Sequence, residues 1–237
     1  MPDRKIATRE QWLVARLKHL RREKEFTRLR DELAHERRAL PWVRIDKDYR
    51  FDTTTGPASL AQLFGTRSQL IVYHFMYGPD WAEGCPSCSF WADNFDGIGV
   101  HLAQRDIALI AVSRAPLATL AAYAKRMGWS FPWVSSLGSD FNADFGVSFS
   151  AEERDQGRAS YNYGANRQPP LEAPGVSVFA RDRAEVFHTY STYGRGLDML
   201  NGAYHFMDLA PKGRDEAALP YPMQWVRRHD QYGDAAR

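Results

Sequence analysis

The sequence predicts an α/β fold in which a central mixed sheet is flanked by helices. Two observations carry this prediction. Between residues 70 and 135, short apolar segments rich in β-forming residues alternate with segments whose apolar residues recur every three or four positions. At 176–190, two further β-type segments flank a charged turn. The alternation predicts parallel strands joined by helical crossovers, and the later pair predicts an antiparallel hairpin.

The length and composition indicate one core domain with appendages. The chain has 237 residues, of which 44% are hydrophobic and 25% charged, as in ordinary globular proteins. We expect an N-terminal helical extension at 1–40, a core domain at 41–210 and a C-terminal tail at 211–237 that packs on the domain. The net charge is only +2, which predicts neither nucleic acid nor membrane as a partner.

The N-terminal extension has the pattern of a helix. Thr8 and Gln11 form a capping box, and apolar residues recur at roughly helical spacing up to Leu40, which predicts one long helix or two shorter ones. Residues 1–40 hold twelve Lys or Arg and seven Asp or Glu, so the extension is basic. We interpret this charge as a solvated helix face.

The segment that follows the extension predicts a short hairpin and a helical turn before the core. Residues 42–45 and 49–51 flank Asp46, Lys47 and Asp48 in a hairpin-like pattern. Leu60, Leu63 and Phe64 then predict a helical turn that ends at Gly65.

The core is predicted to begin with a buried strand at 70–77, closed by Gly78 and Pro79. A helix carrying Trp91, Phe95, Ile98 and Leu102 follows it. The alternation continues with a strand at 107–112, a helix over 117–127 and a strand at 131–135. This order predicts a parallel sheet with right-handed crossovers.

The second half of the domain predicts an insertion, a hairpin and a last helix. Residues 148–173 are polar and contain Pro169 and Pro170, so we expect a long loop. Residues 176–179 and 186–190 predict the hairpin. Leu197, Leu200, Tyr204 and Met207 share one face of the predicted final helix.

The two cysteines of the chain, Cys85 and Cys88, are the candidate functional residues. They are spaced i and i+3 at the predicted start of the helix after the first core strand, close enough to form a disulfide. The free N–H groups and the positive dipole of a helix start stabilise a thiolate on the outer cysteine. We therefore expect Cys85 to attack, Cys88 to resolve the mixed disulfide, and Pro86 to occupy the first helical position, with Ser87 between them.

Two other interpretations of the cysteines remain open. A structural zinc site needs four ligands, and the sequence offers no second cysteine pair, so histidines from elsewhere would have to complete it. Cysteines can also be inert core residues. We expect no metal and no cofactor. The sequence contains neither an apolar run of eighteen residues nor a secretory h-region near its N-terminus, so we expect a cytoplasmic protein.

Side chains near the pair are candidates for tuning it. His74, on the preceding strand, is either a thiolate partner or a hydrogen-bonded core histidine. Trp81 and Trp91 are expected to form hydrophobic walls. Asp80 and Glu83 would disfavour a thiolate if they lay close to it.

The order of elements resembles the thioredoxin superfamily: strand, active-site helix, strand, helix, hairpin and final helix. The resemblance implies a thioredoxin-like fold. It also implies that Pro174, just before the hairpin, is a cis-proline facing the redox pair, and that Ala173 contacts the backbone of a bound partner.

More closely, the chain resembles a bacterial thioredoxin-like family of unknown function, domain of unknown function eight-nine-nine, related to the alkyl-hydroperoxide-reductase group. The residues that carry this resemblance are 70–76, 84–88, 188–198 and 225–232. The sequence departs from thioredoxin, because Gly84 precedes the pair and Pro86-Ser87 lies inside it. It departs from peroxiredoxins as well, because Glu83 and Pro86 stand where their motif requires threonine and cysteine.

Three functions follow as hypotheses. The first is a thiol–disulfide oxidoreductase whose partner is a protein or small-molecule disulfide or thiol. The second is a thiol peroxidase in which Cys85 becomes a sulfenic acid and condenses with Cys88. The third is a non-catalytic binding module that uses an aromatic surface made of Tyr161, Tyr163, Tyr190, Tyr193 and Arg195.

Overall fold

The computed structural model describes residues 5–233, and the chain divides into two compact units, Met1–Pro41 and Trp42–Arg237. Within the first unit, one continuous helix, α1, spans Arg9–Arg38. Thr8 and Gln11 close the capping box at its start, as the sequence predicts. No residue of α1 is buried. None of the helices in the described part of the chain is both long and apolar enough to cross a bilayer.

The second unit is built on a mixed sheet. Its strands, in chain order, are β1 Val43–Arg44, β2 Arg50–Thr53, β3 Gly56–Ser59, β4 Gln69–His74, β5 Ile107–Ser113, β6 Trp133–Ser135, β7 Gly175–Asp182 and β8 Glu185–Tyr193. They lie in the order β1-β8-β7-β4-β5-β6-β2-β3. The central strands β4, β5 and β6 are parallel, and β7 pairs antiparallel with both β4 and β8. The predicted parallel core and the predicted hairpin are both confirmed.

Helices cover both faces of this sheet. They are α2 Leu60–Leu63, α3 Pro86–Phe95, α4 Gly99–Ala103, α5 Leu117–Met127, α6 Phe141–Asp144, α7 Ala151–Asp155 and α8 Gly202–Leu209, with 3-10 turns at Gly194–Leu200 and His229–Gln231. A parallel βαβ core, an antiparallel hairpin and a closing helix make this a thioredoxin-like fold, with an N-terminal helical extension and a C-terminal tail.

The side chains of β4 alternate between two hydrophobic cores. Tyr73 and Phe75 face the core under α3, where they pack with Trp91 and its neighbours. Leu70 and Val72 point the other way, into a second core. Successive residues of a strand face opposite sides, and both sides of a central strand are buried, so the middle of β4, from Leu70 to Tyr73, is apolar throughout. This alternation decides which residue of β4 reaches the cysteines.

The predicted hairpin between residues 42–45 and 49–51 is wrong. Val43 pairs with His188 of β8, whereas β2 pairs with β3 and β6, so the two strands lie toward opposite edges of the sheet. The turn between these two strands contacts α6 instead, because Lys47 forms ion pairs of 2.7 Å with both Asp140 and Asp144. The local pattern identified the strands but not their partners.

Two other segments differ from the prediction in detail. The last helix is interrupted: Leu197 and Leu200 lie in a 3-10 turn, and Asn201 then caps α8 by accepting the N–H of Tyr204 at 3.1 Å. The insertion at 148–173 is not structureless, since it contains α7 and the isolated bridge that joins Ser148 to Glu172.

Candidate active site at the start of helix α3

Cys85 is the N-cap of α3 and Cys88 lies in its first turn, as predicted. Pro86 occupies the first helical position, where the missing N–H leaves no hydrogen bond unmade. The N–H of Cys85 donates to the carbonyl of Met76 at 3.1 Å, which ties the start of the helix to the chain that leaves β4. The nucleophile candidate therefore has a fixed backbone at the end of the central strand.

The two cysteines are free thiols with different environments. Cys88 is 1% exposed and receives the N–H of Met76 at 3.4 Å on its sulfur. Cys85 is half-buried at the helix end. One sulfur of the pair is thus nearer the solvent, and the other is enclosed by protein.

Hydrogen bonding separates the acidities of the two thiols. The Cys88 thiol, together with the N–H groups of Cys88 and Ser87, lowers the pKa of Cys85 to about 7 against the opposing effect of burial. Burial, followed by the hydrogen bond and charge of Cys85, raises the pKa of Cys88 well above its ordinary value. Near neutral pH, Cys85 is therefore partly thiolate, whereas Cys88 keeps its proton.

Tyr73 is a site residue that the sequence analysis missed. Its hydroxyl forms a hydrogen bond with the sulfur of Cys88. The side chain is 2% exposed, and burial raises its pKa well above the ordinary value, so it remains a neutral donor. Its position in β4, facing α3, is the sequence signal that identifies it once the face of the strand is known.

His74 does not reach the cysteines, so the interpretation as a hydrogen-bonded core histidine is confirmed and that as a thiolate partner is wrong. It is 1% exposed on the opposite face of β4, where its ring lies beside Phe141 and its Nε2 is 2.8 Å from Ser177 Oγ. Burial lowers its pKa to about 3. The physical reason is the alternation of the strand, which sends Tyr73 and not His74 toward α3.

The expectation of a cis-proline at Pro174 is also wrong, because none of the peptide bonds in residues 5–233 is cis. Pro174 nevertheless lies beside the pair, in the lining of a cavity that reaches Cys88. Its carbonyl accepts the hydroxyl of Tyr161 at 2.6 Å, and the N–H of Ala173 donates to the carbonyl of Val147 at 2.8 Å. These bonds hold the loop with the usual trans geometry.

The same bonds remove Ala173 from its expected role. The residue is 3% exposed and its N–H is already bonded within the chain, so this N–H has no capacity left for a partner's backbone. Trp81 is placed differently from the prediction as well: it is 38% exposed and lines a separate pocket with Arg114 and Glu172. Trp91 does form a buried wall next to the pair.

The C-terminal tail holds the loop that precedes Cys85. Arg228, whose side chain is 11% exposed, donates to the Gly84 carbonyl at 2.6 Å and to the Tyr123 hydroxyl at 2.8 Å, and pairs with Glu83 at 2.8 Å. Glu83 is also paired with Arg126. Gly84 is required here, because a Cβ would lie 2.9 Å from the ring of Phe75.

A cavity of about 640 Å³ opens beside the pair. Tyr73, Ser87, Cys88 and Trp91 form one end of it, and residues 214–217, 222 and 223 of the tail form another part of its lining. A larger cavity, of about 970 Å³, lies over α2 and α5 but is lined by neither cysteine nor histidine. Among the described residues, no group of three or more His, Cys, Asp or Glu side chains is arranged to hold a metal ion.

Comparison with known proteins identifies a family but no characterised relative. The model of the family described as "Bacterial protein of unknown function (DUF899)" matches residues 1–232. No curated protein matches the chain.

Solved structures with a similar fold are distant. Peroxidoxin BcpB from Mycobacterium tuberculosis has 17% identity and a TM-score of 0.44, covering 68% of this chain and 92% of its own. Peroxiredoxin 6 of Arenicola marina, solved as a cysteine-to-serine mutant, has 14% identity and a TM-score of 0.46, covering 68% and 70%. A secreted Mycobacterium tuberculosis disulfide oxidoreductase homologous to E. coli DsbE has 15% identity and a TM-score of 0.37, covering 65% and 92%.

Proposed function

This chain belongs to the DUF899 family of bacterial proteins, and on that premise we propose that it is a thiol–disulfide oxidoreductase with Cys85 and Cys88 as its redox pair. The observation that carries the proposal is the placement of the two cysteines: Cys85 is the N-cap of α3, where the Cys88 thiol and N–H groups lower its pKa, and Cys88 is buried in the first turn, where burial raises its pKa. An attacking cysteine needs thiolate character near neutral pH, and a resolving cysteine must stay protonated until the mixed disulfide forms.

The proposed reaction is balanced by the two cysteines and one disulfide. The Cys85 thiolate attacks a sulfur of the disulfide, forms a mixed disulfide with it, and releases the other half as a thiolate that takes a proton. Cys88 then loses its proton and attacks the Cys85 sulfur, which releases the second half. The substrate gains two electrons, the protein gains an internal disulfide, and a dithiol reductant restores the starting state.

Three local features support this sequence of steps. The free N–H groups of Ser87 and Cys88 stabilise the thiolate of Cys85. Pro86 at the first helical position fixes the turn between the two cysteines. Tyr73 donates to the Cys88 sulfur and so stabilises the negative charge that appears there in the second step.

A redox titration tests the proposal. The purified protein is equilibrated in dithiothreitol buffers of graded potential, and Cys85 and Cys88 are quantified by thiol alkylation and mass spectrometry. We expect both thiols to disappear together in one two-electron transition. Cys88→Ser should trap a mixed disulfide on Cys85 when a small disulfide is added, whereas Cys85→Ser should trap none.

Two results would count against the proposal. One is a pair that stays reduced across the whole range of potentials. The other is a pair that hydrogen peroxide oxidises at stoichiometric concentration while disulfides do not, because that result supports the thiol peroxidase hypothesis instead.

A further inference from the structure

Resting on the proposed function, we propose that the substrate of the redox pair is a small-molecule disulfide with a cationic amine, bound in the 640 Å³ cavity beside Cys88. The cavity has the size that small-ligand sites commonly have. Cys88 lines it, and the Cys85 sulfur is hydrogen-bonded to that of Cys88. A disulfide seated there contacts Cys88, and Cys85 stands at the N-cap of the same helix.

The inner wall of the cavity is apolar and ordered. Trp91 and Tyr204 pack edge to face with ring centroids 5.7 Å apart, and the Trp91 indole donates to the Leu197 carbonyl at 3.0 Å. Leu197 and Met223 complete this wall. Such a surface binds the carbon skeleton of a small molecule and positions it without needing charge.

The arginines of the cavity are already neutralised. Arg214 pairs with Asp198 at 2.8 Å and holds Asp208 through two bonds of 2.9 Å, while its guanidinium lies 3.8 Å over the Tyr204 ring. Arg195 pairs with Asp198 at 3.0 Å. Each guanidinium among the lining residues is therefore already paired with a carboxylate.

Glu216 supplies a negative charge without a cationic partner. Its Oε1 accepts three neutral donors: the Trp225 indole at 2.7 Å, the Met223 N–H at 2.9 Å and the Tyr204 hydroxyl at 3.2 Å. In the described part of the chain it forms no ion pair. With Asp215, it leaves the lining two negative charges in excess, since four carboxylates face two arginines. This charge favours a cation.

The loop beside the pair argues against a protein substrate. Protein partners of a strand edge commonly bind through main-chain hydrogen bonds. Here the Ala173 N–H is bonded to Val147, and the Pro174 carbonyl is bonded to Tyr161. Two of the main-chain groups that could hold an extended peptide at this loop are therefore already used within the chain.

The test is a charge series of small symmetric disulfides. Cystamine is cationic, bis(hydroxyethyl) disulfide is neutral and dithiodipropionate is anionic. Each rate of Cys85–Cys88 oxidation is divided by the rate at which free dithiothreitol reduces the same disulfide, which removes differences in leaving-group reactivity. After this correction we expect cystamine to react fastest and dithiodipropionate slowest, with a difference that shrinks at high salt.

Glu216→Gln is the decisive variant, because the amide oxygen still accepts the three hydrogen bonds while the charge is lost. It should lower the corrected cystamine-to-neutral ratio by about threefold, the effect of a partly exposed ion pair. Asp215→Asn, on the exposed rim, should act in the same direction and serves if Glu216→Gln fails to fold. Asp182→Asn removes one charge at the other end of β7 and should leave the ratio unchanged.

Three results would overturn the inference: equal corrected rates across the series, ratios unaffected by both cavity variants, or faster reaction with a protein disulfide than with any of the three. These failures are separable from failure of the proposed function. If the pair titrates with dithiothreitol but shows no charge preference, only the substrate class is wrong. If it does not titrate, the oxidoreductase proposal itself is wrong.

Discussion

Removing the Cys88 sulfur tests the physical origin of Cys85 reactivity. The pKa of Cys85 falls from an ordinary value of 9.0 to about 7, and the hydrogen bond from the Cys88 thiol is the largest cause. Two pKa units correspond to about 2.7 kcal/mol in favour of the thiolate. In Cys88→Ala this hydrogen bond is lost while the N–H groups of the helix start remain, so we expect the pKa of Cys85 to rise by about one unit.

The assay is the pH dependence of Cys85 alkylation by iodoacetamide in the reduced protein. With a pKa of about 7, half of Cys85 is thiolate at pH 7. A rise of one unit leaves roughly a tenth as thiolate, so the alkylation rate at pH 7 should fall about fivefold. Cys88→Ser is the matched control, because its hydroxyl can still donate and should keep the midpoint close to that of the native protein.

The reasoning would be refuted if Cys88→Ala alkylated with an unchanged midpoint. That result would assign the thiolate to the N–H groups of Ser87 and Cys88 alone. A midpoint raised equally in Cys88→Ala and Cys88→Ser would show that the geometry of the native sulfur, and not the presence of a donor, is responsible.

Three further predictions concern the surroundings of the pair. Arg228→Ala should lower the free energy of unfolding in urea by about 2–4 kcal/mol, since it leaves the Gly84 carbonyl without its charged donor. Arg227→Ala, whose side-chain hydrogen bonds stay within the tail, should lower it by about 0.5 kcal/mol or less, and equal losses would contradict the reasoning. Tyr73→Phe should slow resolution about tenfold, seen as accumulation of the mixed disulfide by mass spectrometry, and unchanged accumulation would exclude a role for the hydroxyl. Burial holds His74 neutral with a pKa of about 3, whereas in the unfolded chain it binds a proton near pH 6.5. The free energy of unfolding should therefore fall by about 1.4 kcal/mol for each pH unit between about 6.5 and 3 in the native protein relative to His74→Gln. If the two proteins lose stability equally over this range, the reasoning is wrong.

Local sequence signals were enough for the parts of the site made by consecutive residues. The spacing of Cys85 and Cys88, with Pro86 between them, predicts a helix start, because the first position of a helix is the one that favours proline. The apolar run of β4 and the charged turn between β7 and β8 predict strands in the same way. All of these depend on contacts within about ten residues.

The face of β4 was beyond the reach of such signals. Tyr73 and His74 are adjacent in a strand that is buried on both sides, so the pattern of apolar residues does not say which of them turns toward α3. Only the packing of the sheet decides it. Histidine is a common partner of a thiolate, which made His74 a candidate, but Tyr73 is the residue that contacts Cys88.

Long-range pairing explains the other differences. β1 and β2 look like a hairpin, yet their partners are β8, β3 and β6. The cis form of Pro174 was implied by resemblance, and hydrogen bonds from Tyr161 and to Val147 hold a trans loop instead. The part of the cavity lining that the tail provides depends on hydrogen bonds of Glu216, and no local sequence pattern predicts them.

The hydrogen bond from Arg228 to the Gly84 carbonyl joins residues 144 positions apart, and this separation affects folding. Closing a loop of that length is entropically costly and slow compared with forming the helix that carries the cysteines. On the ribosome, Cys85 emerges well before Arg228 exists to hold its loop. The two thiols therefore spend the interval of synthesis in a chain whose Gly84 loop is not yet held by Arg228.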